Sequence, residues 1–237
     1  MDIGILIPTT GEARGIIAAL KMKRTAAGEF TYEAPNLRVV LQICGIGADN
    51  ARRQAETLLN RGTEFLVLAG FCGGLTENLR QGDLVIDNQR HDPHFANTLM
   101  RIAVTRNIPF HLGTIHTSPR FLAKPEEKIR AGIHAAAIAV DMESAGVLDL
   151  CRARNLPFRS FRTVSDGLNQ PLPSALQYET FTLRFWCALA CLLWEWPSLC
   201  RAFMSARLAK NNLSVILADW VRGLPKDQRP PEAAKDV

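Results

Sequence analysis

Two short segments of this chain decide how its fold is predicted. Ala139–Ala145 has the sequence AVDMESA, and Val164–Gly167 further along has the sequence VSDG. The first puts Glu143 directly after a short apolar run and at the start of a predicted helix, and the second puts Asp166 in the turn that closes another apolar run. Strands that end in polar turns, with helices between them, are typical of an α/β protein that binds a ligand at its strand ends.

Working outward from these segments, strand-like and helix-like runs alternate along residues 1–170, which predicts one α/β domain with a central mixed sheet flanked by helices. The predicted strands are Ile3–Pro8, Leu37–Ile43, Phe65–Leu68, Gly82–Ile86, Leu112–Thr117, Ala137–Val140 and Phe158–Val164, with Phe30–Pro35 as a weak strand or loop. The predicted helices are Glu12–Lys23, Ala48–Asn60, His94–Asn107, Lys124–Ala136 with a break near Gly132, and Glu143–Arg154.

The character of the chain changes after Gly167. Phe181–Leu193 is almost entirely apolar, with Arg184 as its only charge, and two further helices are predicted over Leu199–Leu208 and Leu213–Val221. We therefore divide the chain into a catalytic domain at 1–170, an apolar helical appendage at 171–224, packed on the domain or at a membrane, and a flexible tail at 225–237.

Composition excludes some classes of function. Of the 237 residues, 47% are hydrophobic and 22% charged, which is ordinary for a globular protein. The net charge is +5, but basic and acidic residues are interspersed and no recognition motif accompanies them, so we do not expect nucleic-acid binding. Attraction to anionic lipid head groups fits the same charge equally well.

The cysteines and the N-terminus predict a cytoplasmic location. The 6 cysteines form no CxxC pair and no zinc spacing, which favours a reducing compartment. Met1-Asp2 opens directly into a predicted strand, without an export signal. The longest apolar run, Phe185–Trp194, is about half of the ~20 residues that a membrane-spanning helix requires.

Each candidate site residue also has a purely structural interpretation. Asp166 in a Ser-Asp-Gly turn could be a turn residue, and Glu143 and Glu12 could be first-turn helix acids favoured by the helix dipole. Arg14 could be a solvated helix residue or an anion contact. Because Glu143 and Asp166 both lie at strand ends, each strengthens the functional interpretation of the other.

Other motifs carry weaker signals. Gly45–Gly47 before a helix offers backbone N–H groups to an anion, but it lacks the spacing of a dinucleotide fingerprint. Gly70 with Gly73-Gly74 indicates a close backbone approach, either to a ligand or to another element. His91 and His94 have a metal-like spacing, but no third ligand is evident, so we predict no metal site.

Taken in order, several motifs resemble those of the purine nucleoside phosphorylase/methylthioadenosine nucleosidase superfamily. They are Met1–Glu12, the Gly-Ile-Gly of Gly45–Gly47, the glycines of Ala69–Gly74, Val140–Ala145, and Arg162–Asp166. The resemblance covers roughly Met1 to Gly167, and its specific part is the Asp-Met-Glu segment combined with Arg-x-x-Ser-Asp. It implies a nucleoside-phosphorylase-like domain that cleaves N-ribosidic bonds.

The resemblance also implies roles for individual residues. Asp166, held by Ser165, would protonate or hydrogen-bond N7 of a departing purine. Glu143 would bind the ribose hydroxyls, and Met142 would pack against the sugar. Such an assignment is chemically coherent, because losing a purine leaves an oxocarbenium-like sugar, so the leaving base must be neutralised and positive charge stabilised.

Four further residues complete the predicted site. Phe121 falls where the nucleosidases place an aromatic that stacks on the base, and Glu12 where they place the acid that activates water. Gly70 would lie close to the ligand, and Arg14 would be the leading phosphate contact. Whether phosphate or water is the nucleophile stays open. No cofactor is implied, apart from inorganic phosphate if it is a co-substrate.

The segment Glu12-Ala13-Arg14 together with the apolar last third resembles the hopanoid-associated phosphorylases, which are assigned the removal of adenine from adenosylhopane. This branch implies an adenosylated lipid substrate, a homo-oligomer, and an enzyme at the inner face of the membrane that contacts it through 181–196. A subunit contact explains the apolar segment equally well. The alternatives are a soluble methylthioadenosine/S-adenosylhomocysteine nucleosidase and a non-catalytic nucleoside-binding membrane-associated protein.

Overall fold

The computed structural model describes residues 1–89, 92–170 and 196–224. These residues form a mixed sheet with helices on both faces, which confirms the predicted fold class. The strands are β1 Asp2–Ile7, β2 Lys23–Arg24, β3 Phe30–Ala34, β4 Leu37–Ile43, β5 Phe65–Gly74, β6 Leu84–Asp87, β7 Phe110–Gly113, β8 Ile115–Thr117, β9 Ala139–Asp141 and β10 Ser160–Asp166. The helices are α1 Thr10–Ala19, α2 Ala48–Asn60, α3 Pro93–Thr105, α4 Pro125–Ala135, α5 Ser144–Ala153 and α6 Trp196–Gly223.

The sheet has the strand order β2-β3-β4-β1-β5-β10-β6-β7. Its centre, β4-β1-β5-β10, is parallel, whereas β10 pairs antiparallel with β6 and β3 antiparallel with β4. The far end of β5 also pairs antiparallel with β9, and β9 pairs in parallel with β8. Parallel strands end at the same edge of a sheet, so the chain is brought repeatedly to one edge, where a site can form.

Two apolar layers sandwich the central strands. In β1, Ile3, Ile5 and Ile7 face one layer, and Leu6 faces the other. The first layer contains residues from α1, α3 and α6, and the second contains residues from α2 and α5. Since both faces of β1 and β5 are buried, these two strands are near-continuous apolar runs, which is why they were recognisable in the sequence.

The last helix is part of the main core. α6 packs on α1, α3, β5 and β10, and its Leu213, Ile216 and Trp220 are buried in the first layer. The Trp220 ring lies edge-on to Phe95, with 5.4 Å between ring centroids. The two helices predicted for this region are one continuous helix. The predicted membrane-contacting segment and tail lie almost wholly outside the described residues, and the division into domains stays a prediction.

Two other predicted boundaries differ from the structure. The stretch predicted as one strand at Leu112–Thr117 is divided between β7 and β8, which pair with different strands. α4 continues unbroken through Gly132. A glycine suits this position because a side chain there would press on Leu75, with 3.2 Å between the added Cβ and the Leu75 Cβ. None of the helices in the described part of the chain combines the length and the apolar character that crossing a bilayer requires.

Candidate active site

A cavity of about 250 Å³ lies where β1, β5, β9 and β10 end. Its lining brings together most of the residues predicted from the sequence, with others that were not predicted. The lining residues are Pro8, Thr9, Glu12, Ile46, Phe71, Cys72, Gly73, Arg120, Phe121, Leu122, Val140, Asp141, Met142, Glu143, Ser165 and Asp166.

Asp166 is held in the cavity wall through both carboxylate oxygens. The register of β10 against β5 shifts between Val164 and Asp166, which turns the end of the strand. The Ser165 hydroxyl donates to Asp166 Oδ1 at 2.5 Å and also lies 3.1 Å from the carbonyl oxygen of Cys72. Lys128 Nζ donates to Asp166 Oδ2 at 2.5 Å. The side chain therefore has a fixed orientation and a charged partner.

Lys128 was not predicted as a site residue. It belongs to α4, its side chain is fully buried, and it also donates to the carbonyl of Gly167 at 2.8 Å. In the sequence it is one of several charged residues in an ordinary helical segment, and lysine is rarely buried. Nothing in the local pattern distinguishes it from its exposed neighbours, so only the fold reveals it.

Glu143 lies at the start of α5 and is 4% exposed. The Gly47 N–H donates to Glu143 Oε1 at 3.0 Å, so one N–H of the turn that we predicted to face an anion binds this carboxylate. Burial raises the pKa of Glu143 to about 7; the Arg162 charge opposes this rise and the Asp141 charge adds to it.

Asp141 and Arg162 form a buried ion pair beneath the cavity. Arg162 Nη2 lies 2.5 Å from Asp141 Oδ2, and both side chains are 0% exposed. Asp141 also accepts from the Thr117 hydroxyl at 2.9 Å and from the Ser144 N–H at 3.2 Å, which ties β8, β9 and α5 together. This pair fixes the loop that carries Met142 and Glu143, and it places a positive charge near the site acids.

Glu12 is both a helix-capping residue and a buried acid of the cavity. Thr9 and Glu12 form a capping box at the start of α1. Glu12 Oε2 accepts from the Thr9 N–H at 2.9 Å and from the Thr9 hydroxyl at 2.5 Å, and Oε1 accepts from the Phe71 N–H at 2.8 Å. Burial raises the pKa of Glu12, and these hydrogen bonds and the charge of Arg162 partly offset the effect.

The backbone of Gly70 lies close to Glu12 and Pro8. A Cβ added at Gly70 would lie 2.9 Å from Pro8 Cδ and 3.0 Å from Glu12 Oε1. The close approach predicted from the glycine cluster is therefore an approach to Glu12 and Pro8. Gly70 itself is not among the described residues that line the cavity.

Arg14 does not join the other predicted residues. It lies exposed on α1 and is not among the described lining residues. One helical turn separates buried positions such as Ala13 and Ile16, and Arg14 falls between them on the solvent side. Phe121 and Met142 do line the cavity, as predicted. Of the histidine pair, His91 lies outside the described residues.

A second, more polar cavity of about 520 Å³ adjoins the first. The two cavities share Ile46 and Met142. The second is lined mostly by the start of α2 and the segment after β8: Gly47, Ala48, Asp49, Asn50, Arg53, Thr117, Ser118, Pro119 and Ala145. A ligand held in the first cavity can therefore extend past Ile46 and Met142 into polar surroundings.

The chain is similar in sequence to known proteins. A family model described as the phosphorylase superfamily matches residues 2–92 and 87–184. The 5'-methylthioadenosine/S-adenosylhomocysteine nucleosidase of Maridesulfovibrio salexigens is 26% identical over 211 residues, covering 76% of this chain and 91% of the relative. The protein of the same name from Bacillus subtilis is 30% identical over 176 residues, covering 62% of this chain and 76% of the relative.

Solved structures share the fold. The 5'-methylthioadenosine/S-adenosylhomocysteine nucleosidase of Neisseria meningitidis, solved in complex with methylthio-immucillin-A, superposes with a TM-score of 0.73. The match covers 94% of this chain and 99% of that one, at 19% identity. At this identity the likeness concerns the fold alone.

Proposed function

The chain belongs to the phosphorylase superfamily, and from this membership we propose that it hydrolyses the N-ribosidic bond of an adenosine that carries a 5' substituent. The enzyme class, nucleosidase or phosphorylase, follows from the family. Water as the nucleophile and the identity of the 5' substituent are our proposals. The reaction uses acids, a base and water, and it requires no cofactor.

The arrangement of Glu12 is the observation that carries the proposal of hydrolysis. Glu12 lines the cavity, and three hydrogen bonds orient its carboxylate. Burial raises the pKa of Glu12, which makes its carboxylate a stronger base towards water. We assign it the activation of the attacking water.

The charges around the cavity disfavour phosphate as the nucleophile. Arg120 is the single cationic side chain among the described lining residues, and its Nη2 lies 2.9 Å from Glu127. Arg162 is paired with Asp141, and Arg14 lies exposed on α1. Within the described lining of this cavity, phosphate would meet the carboxylates of Glu12 and Glu143 and no unpaired cation, whereas neutral water meets no such repulsion.

The remaining acids suit the two halves of a nucleoside. Asp166, oriented by Ser165, is assigned to N7 of the departing adenine, where transfer of a proton neutralises the leaving group. Glu143, oriented by the Gly47 N–H, is assigned to the ribose hydroxyls. Its negative charge also favours the positive charge that develops on the sugar. Phe121 and Met142 supply the apolar surface for the base and the sugar.

The polar second cavity supports a 5' group such as that of methylthioadenosine or S-adenosylhomocysteine, the substrates named for the sequence relatives. The homocysteine part of the latter carries an ammonium and a carboxylate. Asp49 and Arg53, which line this cavity, offer opposite charges to these groups.

Adenosylhopane is the second candidate substrate. The observation that favours it is the sequence of Phe181–Leu193, which is almost entirely apolar with Arg184 as its only charge and would suit a triterpenoid or a membrane surface. With this substrate the enzyme would act at the inner face of the membrane. With either substrate we propose a cytoplasmic homo-oligomer.

A substrate panel tests the proposed function. Purified enzyme is incubated without phosphate with methylthioadenosine, S-adenosylhomocysteine, adenosylhopane in detergent, and adenosine, and released adenine is quantified by chromatography. We expect the highest kcat/KM for one of the 5'-thio nucleosides. Preference for adenosylhopane would transfer the proposal to the second candidate, and no adenine from any of the four would refute the proposed function.

A further inference from the structure

A lysine ammonium is buried behind the cavity, where it contacts the acid that we assign to the leaving base. Lys128 and Asp166 have side-chain exposures of 0% and 4%, and their N–O distance is 2.5 Å. Removing two charges from water costs several kcal/mol per ion unless the pair is well matched and further hydrogen bonds are made. Here the Gly167 carbonyl and the Ser165 hydroxyl provide such bonds, at 2.8 Å and 2.5 Å.

The position of Lys128 indicates that it acts through Asp166. Asp166 lines the cavity, whereas Lys128 is not among the described lining residues. Gly73 keeps the contact tight, because a Cβ there would lie 3.2 Å from Asp166 Oδ2, the oxygen that Lys128 contacts. Both oxygens of Asp166 accept hydrogen bonds, one from the Lys128 ammonium and one from the Ser165 hydroxyl, and a side chain that only accepts has no proton of its own to give.

We propose that Lys128 is a positioning residue that orients Asp166 and supplies the proton which Asp166 delivers to the leaving adenine. This inference rests on the proposed function. It resolves a conflict in the simple scheme, in which Asp166 must be protonated although it lies against a cation. The proton is stored on the Lys128–Asp166 ion pair and moves to the base only when negative charge develops there.

The step balances as follows. A proton moves from Lys128 Nζ to Asp166 Oδ2, and from Asp166 to N7 of the purine as the C1'–N9 bond breaks and its electron pair passes to the ring. Water gives its hydroxyl to C1' and its other proton to Glu12. The products are neutral adenine, a ribose with a C1' hydroxyl, Asp166 as carboxylate, Lys128 as neutral amine and Glu12 as carboxylic acid. Exchange with solvent after product release restores each group.

Two substrates with different leaving groups distinguish a proton-supplying role of Lys128 from a purely structural one. Adenine must be protonated to leave easily, but 4-nitrophenolate leaves without protonation. We therefore compare a 5'-methylthio adenosine with the matching 5'-methylthio 4-nitrophenyl riboside. The enzymes are wild type, Lys128→Met, which keeps the length without the charge, and Lys128→Gln, which keeps a neutral donor. Arg130→Met, on the exposed side of the same helix, is the control.

We expect both Lys128 variants to lose on the order of 100-fold in kcat with the adenine substrate, within the usual range for loss of general-acid help. Release of 4-nitrophenolate should stay within about threefold of wild type, and Arg130→Met should match wild type with both substrates. Circular dichroism and thermal melting identify which variants are folded, and either folded Lys128 variant suffices for the test.

Two results would overturn the inference while leaving the proposed function intact: equal losses with both substrates, as structural damage predicts, or no loss with either. A different result identifies failure of the function itself. If wild-type enzyme releases adenine from no nucleoside, the proposed function is refuted and the inference falls with it.

Discussion

Glu143 makes the stability of the protein depend on pH. Its pKa rises from an ordinary 4.5 to about 7 on folding. A carboxyl with a raised folded-state pKa binds its proton more tightly when folded, so its favourable contribution is complete below about pH 4.5 and is lost as the pH rises through about 7. Glu143 therefore destabilises the folded protein in the ionised form that would bind ribose.

Replacing Glu143 by Gln should remove this penalty. We expect the free energy of unfolding of Glu143→Gln, minus that of wild type, to increase by on the order of 3 kcal/mol from pH 5 to pH 8. Urea unfolding at both pH values measures this difference. Glu56→Gln, in an exposed i,i+4 ion pair, is the control and should change little. A stability difference between Glu143→Gln and wild type that does not vary with pH would contradict the argument.

The role of Asp166 predicts a loss of rate without a loss of fold. Asp166→Asn keeps the shape but cannot pass a proton, so kcat for adenine release should fall by roughly 10²–10⁴. Asp149→Asn, on the exposed side of α5, should retain activity. If the protein were a non-catalytic nucleoside binder, any activity measured in the preparation would be unchanged in Asp166→Asn.

Most of the candidate site could be predicted from single residues, and the exceptions have physical reasons. Glu12, Glu143 and Asp166 follow strands, so their meeting at one edge follows from the α/β pattern. Arg14 was predicted as a site residue from its nearness to Glu12 in sequence, but neighbouring residues on a helix point in different directions. Lys128 reaches the site across the fold from α4, and no local pattern encodes such a contact.

At the scale of elements, β5 can approach α1 closely because Gly70 has no side chain. In Gly70→Ala, the new methyl would press on Glu12 Oε1 and Pro8 Cδ, both backed by packed structure. We expect kcat to fall on the order of tenfold to hundredfold through displacement of Glu12, a size typical for misplacement of a catalytic group.

The control for Gly70→Ala is Gly223→Ala at the end of α6, where an added Cβ meets nothing within 4 Å. Steady-state kinetics with the preferred nucleoside measures both variants. Full activity of Gly70→Ala would show that the reaction tolerates displacement of Glu12. That result would weaken the assignment of Glu12 as the general base.

The packing of α6 predicts that the last third of the chain supports the whole domain. Trp220 is 2% exposed and contacts Phe65 and Phe95. Trp220→Ala should therefore lower the free energy of unfolding by about 3–5 kcal/mol. Val104→Ala, 65% exposed on α3, should change it by less than about 0.5 kcal/mol. A small effect of Trp220→Ala in urea unfolding would indicate that α6 is an independent appendage.

Sequence periodicity predicted some elements with the bounds that the structure shows. The predicted bounds of β4 and α2 equal those observed. The strand predicted over Phe65–Leu68 continues to Gly74, because β10 and β9 both pair with its glycine-rich end. α6 was predicted as two helices, yet Asn212, between them, remains helical and donates to the Gly82 carbonyl at 2.8 Å. In both places a tertiary contact overrides local propensity.

At the scale of the whole molecule, four buried carboxylates line one cavity, and two buried cations lie behind it. Each cation is paired, Arg162 with Asp141 and Lys128 with Asp166. The unpaired acids, Glu12 and Glu143, are those with raised pKa values. This distribution of charge suits the stabilisation of a positively charged sugar and the activation of a neutral nucleophile. It therefore supports hydrolysis, which is our central claim.

The origin of the oxygen on C1' tests that claim most directly. The enzyme is run to completion on its preferred nucleoside in ¹⁸O-labelled water, with and without inorganic phosphate, and the sugar product is analysed by mass spectrometry. We predict a free sugar that carries one ¹⁸O, formed at the same rate in both reactions. A sugar 1-phosphate, or a rate that depends on phosphate, would contradict the account.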